Sequence, residues 1–313
     1  MTKSSILLFL LVLSLSCFGL ERATTIRETQ IYVSPDTSAA KLGTVTRGRE
    51  LAMLDNSSGW AQVQAELGEG RTLTGWIDSK GVVRASTPNG DRIIFGEAVD
   101  SEDQASQRHG RSGAAQDAMR LYAADAAVFP ASPLAGESLY RSAEIRWQLE
   151  KSDVMARPSA RQQDPDVREG MDESHVKEVI KKYPNTKWAD MAAFLLIDNK
   201  LCGEWQNASK CPEKESELYI KYANDRPDSP KTPEALYDAA YRQGALIELY
   251  RTEGQPKKSD AARTKAIGLA PQVTAKYAQS DWGARAERLL FLIQQGVPTY
   301  GVAAESSSGG PQP

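Results

Sequence analysis

Phe129–Tyr140 reads FPASPLAGESLY, Tyr183–Phe194 reads YPNTKWADMAAF, Arg226–Tyr237 reads RPDSPKTPEALY and Tyr277–Arg288 reads YAQSDWGARAER. One phrase written four times at long spacing is the signature of stacked copies of a structural unit. In each copy an aromatic residue or Arg ends one helix, and Pro stops it in three of the four. A Ser or Thr three residues on begins the next: Ser132, Thr186, Ser229 and Ser280 take the N-cap position. Pro133 and Pro230 follow two of them, as suits a first helical residue. Small residues such as Ala135, Ala189 and Ala192 let the second helix pack closely on the first. The phrase is therefore the turn of a helical hairpin, and a hairpin that cannot bury its apolar stripe alone must stack.

The segments around the turns carry such stripes at i, i+3, i+4, i+7. They are Met119, Tyr122, Ala123 and Ala126; Val176, Val179, Ile180 and Tyr183; and Trp188, Met191, Ala192 and Leu195. Ala266, Leu269, Ala270 and Val273, then Ala286, Leu289, Leu290 and Ile293, repeat the spacing. The turn resembles that of the tetratricopeptide family, in the variety found in envelope assembly proteins, over residues 113–297. That resemblance implies protein partners. The period departs from it: equivalent positions 130, 184, 227 and 278 lie 54, 43 and 51 residues apart, where the family unit is about 34. MARPSARQQDPDVREGMD, CGEWQNASKCPEK and RTEGQPKKSD read as insertions between copies.

Residues 22–86 have a different texture. TQIYVSP, KLGTVTRGRELAML, GWAQVQA and TGWIDSKGVV are short β-branched runs bounded by Gly, Pro, Asn, Asp and Ser, which predicts a small barrel. Ser34-Pro35, Leu42–Val45, Arg47-Gly48, Gly59-Trp60 and Gly75-Trp76-Ile77 fall in the order seen in the bacterial SH3-like domain, which this segment resembles. Members of that family are mostly envelope modules that bind peptidoglycan or peptides. The resemblance implies a ligand groove flanked by Tyr32, Asp55, Trp60 and Trp76. For the two Trp residues barrel core is the first reading and ligand contact the second.

The fold class is thus α+β with two domains: an SH3-like β-barrel, then an α-helical, tetratricopeptide-like solenoid. Residues 87–112 read as linker and leading helix, with Pro88-Asn89-Gly90 as the clearest breaker. Residues 298–313 read as a disordered tail by composition. Residues 1–19 have Lys3 followed by an apolar run from Ile6 to Leu15, the pattern of a secretory signal. Cys17 after LSLS resembles a lipobox, which would make it the lipidated anchor; the alternative is a Cys within an ordinary signal. Export to the periplasm or an outer-membrane anchorage follows.

Cys202 and Cys211, the remaining pair, read as a disulfide in an exported chain. With only His109 and His175 beside them, zinc has too few ligands. A net charge of −3 gives no basic surplus for nucleic acid. No Gly-x-Ser-x-Gly, P-loop or HExxH string occurs, so neither catalysis nor a cofactor is expected. The acidic groups Glu66/Glu69 and Asp100/Glu102/Asp103 read as solvated faces. Trp147 and Trp188 are expected between helices, and Trp205, in the Cys-bounded loop, at a partner contact. Two functions remain: an adaptor whose barrel engages the wall while the repeats hold other envelope proteins, or a scaffold whose barrel only caps the repeats.

Overall fold

The computed structural model describes residues 20–68 and 70–301. The signal segment, Cys17, Glu69 and the tail beyond Gly301 lie outside the described residues. The chain divides into two compact units between Ile93 and Ile94.

The first unit is an antiparallel seven-stranded sheet: β1 Glu21–Thr25, β2 Thr29–Tyr32, β3 Lys41–Val45, β4 Glu50–Ser57, β5 Trp60–Glu66, β6 Thr72–Asp78 and β7 Val82–Arg84. Its strand order is β3-β2-β6-β5-β4-β1-β7. Alternation along each strand sends Ile31, Val45, Leu51, Met53, Ala61, Val63, Ala65 and Ile77 to one buried cluster. The opposite phase carries the candidate ligand residues.

Helix α1 (Gly90–Ser106) begins inside the stretch that reads as a connector. Asn89 takes a left-handed φ of 53°, and its carbonyl accepts the Ile93 N–H. The breaker residues therefore start a helix here and do not extend a linker.

The second unit continues with α2 (Ala114–Val128), α3 (Ala135–Met155), α4 (Ser174–Lys182), α5 (Lys187–Leu195), α6 (Lys210–Asp225), α7 (Thr232–Thr252), α8 (Pro256–Tyr277) and α9 (Asp281–Gln294). Each quoted phrase is the turn of one hairpin: α2–α3, α4–α5, α6–α7 and α8–α9. Phe129, Tyr183 and Arg226 end their helices at φ/ψ of −120/58, −125/53 and −138/63. The Pro that follows each excludes the α region from the residue before it. Tyr277, followed by Ala278, has no such constraint, and Ala278 stays helical at −52/−33.

The caps follow the same division. Thr186 accepts the Ala189 N–H at 3.3 Å and Ser280 the Gly283 N–H at 3.1 Å. Where Pro comes next, Ser132 and Ser229 accept from Leu134 and Lys231, each at 3.1 Å. Regular helix there starts only at Ala135 and Thr232, two residues after the prolines expected to open it.

The stripe read on α2 holds in part: Tyr122 and Ala126 are buried and Met119 is half-buried. Ala114, Ala118, Leu121, Asp125 and Val128 are buried, and Ala123 faces solvent. Ser138 on α3 donates to Asp125 Oδ2 at 2.5 Å, so the buried face also takes in a carboxylate beside Ala126.

The irregular spacing has a simple origin. Helix α3 packs on α4 and α5, and α7 on α8 and α9. Position 130 corresponds to 227, 97 residues on, and 184 to 278, 94 residues on. Tyr140 meets Trp188 at 5.7 Å between centroids, and their counterparts Tyr237 and Trp282 meet at 5.5 Å. Ala189, Ala192 and Leu195 are buried, as are Gly283, Ala286 and Leu289 at the matching places. The repeating unit is thus a pair of hairpins of about 95 residues, in place of a single hairpin.

Candidate functional site

The candidate ligand face lies on the outer side of β2, β4, β5 and β6. Register pairs Asp55 with Gln62, Gln62 with Trp76, and Trp76 with Tyr32, a single row across four strands. Trp60 precedes Gln62 by two residues and shares its face. Its ring stands at 88° to Tyr32, with 5.5 Å between centroids.

Trp60 and Trp76 are half-buried, so the core reading is corrected. Ala61 and Ile77, one residue further along, occupy the interior and are fully buried. The reason is phase. Gly59 turns the hairpin at φ 87°, and Trp60 opens a strand whose inward positions are 61, 63 and 65.

Two irregularities assemble the row. A register shift between Met53 and Asp55 leaves Leu54 as an extra residue and brings Asp55 opposite Gln62. Asp55 is exposed, and its Oδ1 accepts the Asn56 N–H at 2.7 Å. Gly75, one residue before Trp76, faces inward; a Cβ there would meet Ile31 Cγ2 at 2.5 Å and the Tyr32 carbonyl at 2.6 Å. The bare backbone lets β2 approach β6 and sets Tyr32 beside Trp76.

In the loop after β2, Val33 is 57% exposed. Asp36 is held below the usual carboxylate range by the N–H and hydroxyl of Ser38. A polar hollow of about 330 Å³ on the same unit is lined by Arg22, Glu50, Ala52, Gln64, Glu66 and Thr72 among others, and contains none of the rings.

On the helical unit, Trp147 is buried and its Nε1 donates to Asp198 at 3.0 Å. Trp188 is half-buried, with Lys187 Nζ 4.3 Å from its ring centroid. Cys202 and Cys211 form a disulfide with their Cα atoms 6.1 Å apart. Trp205, in the enclosed loop, is half-buried rather than displayed: its Nε1 donates to Glu215 at 3.2 Å, and Tyr300 covers it at 5.1 Å. Glu215 is 2% exposed and also accepts the Cys202 N–H at 3.0 Å and Arg242 Nε at 2.8 Å. A buried carboxylate with three donors is satisfied. Burial pushes neighbouring Asp238 up to about 6, against the opposing pull of Arg242 and with help from Glu234. Glu215, Asp238 and Arg242 lie on amphipathic helices, where a charged residue reads as a solvated position, and so the sequence gives no sign of this network.

Among the described residues, no group of three or more His, Cys, Asp or Glu could hold a metal ion. No described helix is long and apolar enough to cross a membrane.

Residues 28–83 match the family model described as the bacterial SH3 domain, and the seven-stranded unit is SH3-like. None of the curated proteins matches the chain. Among solved structures, a DHF79 filament is 15% identical, covering 64% of this chain and 95% of its own, at a TM-score of 0.19. A DHF119 filament is 14% identical, covering 66% and 95%, at 0.23. The de novo designed helical repeat protein DHR64 is 16% identical, covering 66% and 92%, at 0.20. At such scores the helical stack is described by its own contacts alone.

Proposed function

We propose that this chain is a non-catalytic adaptor of the bacterial cell envelope, exported and held there by its N-terminal segment, with Cys17 as the lipid anchor. The SH3-like unit binds peptidoglycan through Tyr32, Trp60 and Trp76. The helical unit, read as a tetratricopeptide-like array, holds other envelope proteins. The observation that supports this most is the outward aromatic row. Three large rings placed on the solvent side of a small sheet contribute little to its core, yet offer flat apolar platforms beside the polar ends of Gln62 and Asp55.

The test is co-sedimentation of the chain with purified peptidoglycan, comparing wild type with Trp60→Ala and Trp76→Ala. Wild type is expected to pellet, and both variants to stay in solution with unchanged circular dichroism. If wild type stays in solution, the wall-binding role fails, and the scaffold whose SH3-like unit binds no wall takes its place.

A further inference from the structure

The first hairpin of each half of the helical unit is built alike, and one difference between them is revealing. At a spacing of 97 residues, α2–α3 matches α6–α7. Helices α3 and α7 are both 21 residues long. Ser142 donates to the Met119 carbonyl at 2.8 Å, and at the matching pair of positions Ser216 donates to the Ala239 carbonyl at 3.2 Å. Glu144 and Ile145 therefore correspond to Tyr241 and Arg242, and Ala115 to Pro212.

In the second hairpin this place is covered. The Trp205 ring lies 6.3 Å from Tyr241 and 5.8 Å from the Arg242 guanidinium. In the first hairpin it is open, a hollow of about 310 Å³ lined by Glu102, Ala115, Glu144, Ile145, Gln148 and Leu149. One half carries its own plug and the other does not.

The lining has an apolar part and a charged part. Ala115, Ile145 and Leu149 supply the first. Glu102 Oε2 accepts from Tyr122 Oη at 2.7 Å and from Arg141 at 3.2 Å, and Glu144 Oε1 accepts from Tyr140 Oη at 2.8 Å. Arg141 is also paired with Glu137 at 2.7 Å. One guanidinium thus serves two carboxylates, the phenol of Tyr140 meets Glu144, and among the described lining residues there are two carboxylates and no cation.

We propose that this hollow receives a Lys or Arg side chain from a basic segment of a protein partner. The methylenes of such a side chain lie on Ile145 and Leu149 while its head reaches Glu102 and Glu144. Trp205 models the arrangement within the same molecule: an apolar body on α7 and an N–H turned to a carboxylate. The inference rests on reading the helical unit as a partner-binding surface, and it is independent of the aromatic face of the SH3-like unit.

The probe is a fluorescent peptide of repeated Leu-Lys-Lys-Leu, with the same peptide carrying Glu for Lys as control, followed by anisotropy with the full chain. The Lys peptide is expected to bind saturably and the Glu peptide not at all. Glu144→Gln, which keeps an acceptor for Tyr140, should weaken binding about tenfold. Ala115→Leu, which narrows the hollow without touching a charge, should weaken it as much, with circular dichroism unchanged in both. Equal binding by wild type and both variants, or none by wild type, overturns the proposal. No peptide binding by wild type alongside retained pelleting with peptidoglycan would sink this site alone and leave the wall-binding reading standing.

Discussion

The Tyr32 ring stands at 88° to the Trp60 ring with 5.5 Å between centroids, on the face of the sheet turned away from its core. A perpendicular pair of this kind contributes about 0.5–1.5 kcal/mol beyond the area it buries. With the half-buried area added, Trp60→Ala should cost the SH3-like unit about 1–3 kcal/mol in a urea titration, while weakening retention on peptidoglycan at least tenfold. Trp60→Phe, which keeps a ring, should restore most of the stability and part of the retention. Loss of folding in Trp60→Ala would instead assign the ring to the support of the sheet.

Gly75→Ala probes the same face from beneath. The added methyl would fall 2.6 Å from the Tyr32 carbonyl, a backbone atom that cannot rotate aside, and 2.5 Å from Ile31 Cγ2. Strand β2 must then draw back from β6, where Tyr32 and Trp76 are register partners. Overpacking of this sort costs about 1–3 kcal/mol, and the expected result is a lowered unfolding midpoint together with weaker retention. A variant as stable as wild type would show that β2 and β6 separate freely.

How much of this was legible beforehand depended on the physics each feature rests on. The helical turns were, because Pro acts on the residue before it and Ser or Thr on the amides after it, all within six residues of chain. Trp60 and Trp76 were marked by the Gly-Trp pairs and Tyr32 and Asp55 only by the resemblance, and neither told which side of the sheet the Trp residues take. That is a matter of phase, and one residue of phase exchanges core and surface. The two-hairpin period was hidden because the phrase positions 130, 184, 227 and 278 are separated alternately by long stretches through α3–α4 and α7–α8 and a shorter one through α5–α6, and because α4 has 9 residues where its counterpart α8 has 22. Glu215 left no trace at all, since its three donors come from Cys202, Trp205 and Arg242, residues that only the folded chain brings to it.

The disulfide closes a short loop whose ends are 9 residues apart in sequence. Chain entropy assigns such a loop about 2–3 kcal/mol. Its reduction should have a local reading as well, because Trp205 lies between the two cysteines with its Nε1 on Glu215. Cys202→Ser with Cys211→Ser should lower the stability of the helical unit by roughly that amount and shift the Trp205 emission to the red. Trp205→Phe in the same background identifies the source of the shift. An unchanged denaturation midpoint would mean that Glu215 and its donors hold the loop without help.

Asp238 gives the helical unit a pH dependence with a definite sign. An unfolded Asp titrates near 4, and burial raises the folded carboxyl to about 6. Below about pH 4 the group is neutral in both states and costs nothing. As pH rises through 6 the folded protein must carry a desolvated carboxylate that the unfolded chain keeps in water. The favourable contribution of the neutral form is therefore lost between about pH 4 and 6, by something on the order of 1–3 kcal/mol. Asp238→Asn removes this titration and retains an acceptor for Arg242, whose Nη1 lies 3.4 Å from Oδ1. Urea unfolding of both proteins across that range should show equal stability at pH 4 and an advantage for Asp238→Asn that grows to a plateau by pH 7. The difference between the two curves is the readout, since carboxylates remote from Asp238 contribute equally to both, and of the carboxylates only Glu234 and Glu215 act on it. A constant difference would place the Asp238 carboxyl in water, with Arg242 as a surface partner only.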